Sequence, residues 1–85
     1  MMNRKNKRSK KYQLQVLIEI DEDGRYVASC PALQGCHTQG DTFEEAMANI
    51  QDVVALCLEE FQAEKKLVDL RFPEVVGIRH IEVTV

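Results

Sequence analysis

The sequence predicts an α+β domain of order β-β-β-α-β, with one helix covering one face of one sheet. Three observations carry this. Apolar and polar residues alternate over residues 12–20, 25–30 and 78–85. A broad apolar stripe at three- and four-residue spacing runs from Phe43 to Phe61. Breaks rich in glycine, proline and aspartate separate these segments.

The first strand is YQLQVLIEI, residues 12–20. Tyr12, Leu14, Val16, Ile18 and Ile20 share one face, Gln13, Gln15 and Glu19 the other, and Leu17 is the exception. RYVASC, residues 25–30, places Tyr26, Ala28 and Cys30 on one face. Directly opposed residues of a hairpin share a face. The two apolar sets therefore coincide only if Ile20 opposes Tyr26 and Ile18 opposes Ala28. Asp21 then opposes Arg25, and Glu22-Asp23-Gly24 is a three-residue loop with glycine at its left-handed end. A two-residue Asp23-Gly24 turn would mix the faces.

Pro31 has no amide to donate, so Pro31–Gly35 ends the second strand. Residues 36–39 read as a short third strand closed by Gly40. Thr42 and Glu45 have the spacing of a capping box, with Asp41 as an alternative cap. The apolar stripe of Phe43, Ala46, Met47, Ile50, Val53, Val54, Cys57, Leu58 and Phe61 predicts a helix over 42–65. Lys65 and Lys66 suit its C-terminal dipole. Residues 67–77 connect to IRHIEVTV, where Ile81, Val83 and Val85 alternate with His80, Glu82 and Thr84.

Eighty-five residues make one domain, whose small core favours association with a partner. The net charge of −3 hides an asymmetry. Residues 1–11 carry six cations (Arg4, Lys5, Lys7, Arg8, Lys10, Lys11) and no anion, and read as a disordered basic arm. Residues 12–85 carry five cations against fourteen anions, a net of −9. This acidic body steers towards basic partners. The arm's cations predict salt-dependent, non-specific contact with nucleic acid. Three cysteines without a C-x-x-C pair or a signal peptide point to reduced thiols in the cytoplasm. No apolar run is long enough to span a membrane.

Enzyme chemistry is not expected. A two-metal nuclease needs converging carboxylates. Glu19 and Glu82 are out of phase with the apolar residues of their strands. They fall on the sheet face away from the helix, apart from Glu44, Glu45 and Asp52. His37 and His80 read as surface residues. Cys36 beside His37 is a poor chelate, because neighbouring strand residues point to opposite faces. Cys30, Cys36 and Cys57 lie in apolar phase and read as buried thiols. No cofactor or metal is expected.

The stretch from Asp23 to Ala46 resembles the HicB-like antitoxin family. The matching residues are Gly24, Tyr26, Ala28, Pro31, Leu33, Gly35, Cys36, Thr38, Gly40, Thr42, Glu44, Glu45 and Ala46. The resemblance extends over residues 12–85. It implies a partial ribonuclease H-like fold, with a four-stranded mixed sheet of order 3-2-1-4 and the last strand parallel to the first. It also implies neutralisation of a small basic HicA-like toxin that degrades mRNA. Full members carry a C-terminal DNA-binding domain, whereas this sequence stops at Val85 and resembles the short form. Candidate partner contacts are the acidic hairpin (Asp21, Glu22, Asp23), the loop residues Pro31 and Leu33, and the polar helix face (Glu45, Asp52, Glu59). The alternative is a free-standing homo-oligomer, a dimer or tetramer, pairing through its outer strands.

Overall fold

A computed structural model describes residues 11–64 and 73–85. The basic arm therefore lies outside the described residues except for Lys11, as does Lys65 with the start of the last connection. Strands β1 (Leu17–Ile20), β2 (Tyr26–Ser29) and β3 (His37–Gly40) form an antiparallel sheet of order β1-β2-β3. Helix α1 (Phe43–Ala63) crosses one face of it, lying over β3 and β2 more than over β1.

The β1–β2 hairpin has the register that the apolar phases require, with Ile20 opposite Tyr26 and Ile18 opposite Ala28. The amide of Asp21 donates to the Arg25 carbonyl at 2.9 Å and closes the three-residue loop. Asp21 Oδ1 accepts from the amides of Asp23 and Arg25, both at 2.9 Å. Gly24 takes φ +82° at the left-handed position.

After β2 the chain makes two tight turns. Leu33 N–H donates to the Cys30 carbonyl and Cys36 N–H to the Leu33 carbonyl, while Cys30 N–H reaches across to the Cys36 carbonyl. Together they tuck Leu33 inward. The third strand starts at His37, one residue later than the pattern suggests, because Cys36 is still engaged in the turn.

At the helix start, Thr42 is the cap and its Oγ1 accepts from Glu45 N–H at 3.0 Å. The reciprocal bond differs from the expected box: Glu45 Oε1 accepts from the Asp41 amide at 2.5 Å, one residue further out. A Cβ on Gly40 would stand 2.5 Å from the backbone nitrogen of Ala46. Glycine there lets α1 sit directly on the end of β3. Asn49 ties the two again, its Nδ2 donating to the Gln39 carbonyl at 2.8 Å.

The core is Ala28, Cys30, Leu33, Cys36, Ala46 and Ile50, ringed by half-buried Leu14, Val16, Ile18, Tyr26, Met47, Val54, Cys57, Leu58 and Phe61. Ile20 and Phe43, expected on apolar faces, are instead largely exposed. Ile20 sits at the hairpin end of β1, which α1 covers least.

Two expectations need correction. The first strand was expected over 12–20 but is paired only over 17–20. Ser29 is the last ladder residue opposite it, and the turn at Cys30–Cys36 leaves residues 12–16 no partner on that side. The fourth strand is likewise absent from the sheet, which holds three strands among the described residues. The chain meets β1's approach through a side chain. Val75 N–H donates to Gln15 Oε1 at 2.7 Å, and Gln15 Nε2 donates to the Val75 carbonyl at 3.0 Å. A glutamine side chain between two backbones holds them further apart than the roughly 4.8 Å spacing of paired strands. Beyond that clamp Ile81 and Val83 are 83% and 68% exposed.

Candidate partner-binding surface

Helix α1 carries five carboxylates, Glu44, Glu45, Asp52, Glu59 and Glu60, and neither lysine nor arginine. Residues seven apart on a helix lie nearly in line. Glu45, Asp52 and Glu59 thus form one exposed stripe along the face turned away from the sheet. Glu44 and Glu45 also sit in the first turn, where the helix dipole favours negative charge.

Leu56 lies on this stripe, one turn after Asp52, and is 64% exposed. It borders an open depression of about 460 Å³ that also involves Val53, Cys57, Glu59, Glu60 and Ala63. An apolar side chain rimmed by carboxylates gives a partner both area to bury and a charge to match. The apolar stripe that defines the helix did not include Leu56. Its signal in the sequence is being out of phase: a large apolar residue among positions otherwise filled by Asp52, Glu59 and Glu60.

The other expected contacts do not join one patch. The β1–β2 tip and the start of α1 lie at the same end of the sheet, where Arg25 and Asp41 approach to 3.5 Å. Glu22 and Asp23 are exposed there beside Glu45. Asp21 is less available, since one carboxylate oxygen holds the loop. The Pro31–Gly35 turn lies at the opposite end. Within it Leu33 is 2% exposed, a core residue and not a surface contact, while Pro31 is half-buried and Gln34 and Gly35 face outward. Asp52 and Glu59 connect the two ends along α1.

The three thiols are free; Cys30 and Cys36 are buried and Cys57 partly so. Burial pushes the Cys36 thiol up to about 12, helped by the hydrogen bond its protonated form donates to Cys57 and by the charges of Cys57 and Cys30. A thiol held protonated at neutral pH is a packing group, not a nucleophile. His37 and His80 are exposed. Glu19 is exposed on β1, on the face opposite to half-buried Ile18, and the α1 carboxylates are exposed on the outer side of the helix, so these acids do not converge. Among the described residues no three His, Cys, Asp or Glu side chains come together as a metal site. No helix among them is long and apolar enough to cross a membrane.

The family profile described as HicB-like antitoxin of bacterial toxin-antitoxin system matches residues 14–77, which spans the sheet, the helix and the Val75 clamp. The chain belongs to the HicB-like antitoxin family. A UPF0150 protein of Synechocystis sp. is 42% identical over 73 residues, covering 86% of this chain and 97% of that one. A second from the same organism is 53% identical over 53 residues, covering 62% and 67%. One from Archaeoglobus fulgidus is 38% identical over 68 residues, covering 80% and 90%. Membership makes this HicB-like chain an antitoxin-type protein with a toxin of some kind as partner.

Proposed function

We propose that this chain is a non-catalytic antitoxin that binds and neutralises a small basic HicA-like toxin which degrades mRNA. The observation that carries this is the outer face of α1, where Glu45, Asp52 and Glu59 form an exposed acidic stripe with exposed Leu56 between the last two. The stripe steers a cationic ribonuclease into contact, and Leu56 supplies the desolvated anchor. The hairpin carboxylates Glu22 and Asp23, with Asp21 behind them, and Pro31 at the opposite end of the sheet are further contacts of the same partner in this reading. A cytoplasmic location goes with this reading, supported by three cysteines that form no disulfide. The ribonuclease H-like reading of the fold goes with the same proposal and needs residues 78–85 as a fourth strand, a place they do not take in the described sheet. Nucleic-acid contact through the basic arm is a separate contribution, and deletion of residues 1–11 separates the two.

The test is co-expression with a small basic HicA-like ribonuclease, sought first in the adjacent open reading frame. Rescue of growth and co-purification of the pair support the reading. Persistent toxicity, with the chain folded and abundant, overturns it.

A further inference from the structure

We infer that residues 76–85 are a strand exchanged between two copies of this chain, each lying against residues 12–18 of the other. This goes beyond the toxin reading and does not depend on it.

Two stretches of the molecule have strand patterning without strand pairing. Residues 12–16 alternate Tyr12, Leu14 and Val16 with Gln13 and Gln15 but lie beyond the reach of β2. Residues 80–85 alternate Ile81, Val83 and Val85 with His80, Glu82 and Thr84, and all of 76–85 stands in solvent. Each has what the other lacks. Residues 12–16 continue into β1, whose outer edge is the unpaired edge of the sheet opposite β3. The second stretch offers a row of unpaired amides and carbonyls with three apolar side chains on one face. An unpaired edge is a template for strand addition.

The helix side of this edge shows a matching vacancy. Because α1 leans over β3, an open groove of about 420 Å³ runs beside residues 12–16, lined by Tyr12, Leu14, Val16, Met47, Val54 and Leu58. A further strand at this edge would lay alternate side chains into the groove. Ile81, Val83 and Val85 have that spacing.

The exposure of residues 76–85 decides against the chain's own segment as occupant of its own groove. The Gln15 side chain takes both backbone groups of Val75, so Val75 itself joins no ladder with β1's approach. From Val75 the chain runs outward, and every residue from Val76 to Val85 is exposed. Ten extended residues reach about 33 Å, enough to cross the edge of a neighbouring molecule. Exchange is reciprocal under a two-fold axis, so one dimer fills both grooves and pairs both edges.

Hydrogen exchange of the full chain, read by mass spectrometry at high and low protein concentration beside light scattering, tests this. The expected result is twice the chain mass at micromolar concentration, with residues 12–16 and 79–85 protected together and released together on dilution. A monomer at every concentration overturns the inference, including one whose segment folds back on its own β1. A dimer with residues 79–85 unprotected overturns it too. Val83→Asp places a carboxylate in the groove and weakens the dimer about tenfold or more. Unchanged dimerisation of that folded variant counts against the exchange. The wild-type exchange pattern decides the matter by itself should the variant fail to fold.

Discussion

The stretch from Tyr26 to Ala63 and the stretches flanking β1 are built from similar apolar patterns, yet only the first is packed. In the first, each strand has a neighbour and α1 lies directly above, so Ala28, Cys30, Leu33, Cys36, Ala46 and Ile50 are buried. In the second, Tyr12–Val16 and residues 80–85 alternate as regularly, yet Leu14 and Val16 are only half-buried beside an open groove and Ile81, Val83 and Val85 stand in water. Periodicity states which face a strand would bury. It does not supply the neighbour to bury it against.

The largest expected effect breaks the packed region. Ile50→Ala empties the centre of the core and lowers unfolding free energy by about 2–5 kcal/mol in urea titration. Leu56→Ala, on the opposite side of the same helix, changes it by less than about 0.5 kcal/mol. Equal losses from the two would contradict the assignment of the two helix faces.

The Cys36 thiol gives the next effect. Below pH 9.0, its ordinary value, it is protonated folded and unfolded, and stability does not depend on it. Between there and about 12 the unfolded chain releases the proton while the folded one keeps it, so stability falls as pH rises. One proton corresponds to a slope of at most about 1.4 kcal/mol per pH unit. Alkaline unfolding curves of Cys36→Ala should be flatter by part or all of that slope.

Loss of the helix cap is smaller. Thr42→Ala removes the bond to Glu45 N–H and lowers stability by about 1 kcal/mol, read as a shifted urea midpoint. The smallest effect is at the Arg25–Asp41 pair, 3.5 Å apart and exposed on both sides. Arg25→Ala costs under about 1 kcal/mol, and added salt hides it.

How much of this was legible in the sequence differs residue by residue. The register of the first hairpin follows from the phase of Ile18, Ile20, Tyr26 and Ala28, because a one-residue slip would turn a whole face over. The helix and its Thr42 cap follow from spacing. The inward turn of Leu33 was not legible, because it depends on backbone bonds between Cys30, Leu33 and Cys36 that leave no periodic trace. Nor was the Asn49–Gln39 tie, since ten residues separate the partners and only the docking of α1 on Gly40 brings them together. At the surface, the acidic stripe could be read from charge, but Leu56 acquires meaning only once its neighbours are known to face outward. The fourth strand could be patterned but not placed, because its pairing depends on a partner edge.

The most direct test of the antitoxin reading is calorimetric titration of a small basic HicA-like ribonuclease into three forms of the full chain. These are the wild type, Leu56→Asp, and the triple variant Glu45→Lys, Asp52→Lys, Glu59→Lys. Tight binding by the wild type, with losses on the order of tenfold to a hundredfold in both folded variants, is the expected result. Undiminished binding by both would contradict the placement of the toxin on the outer face of α1.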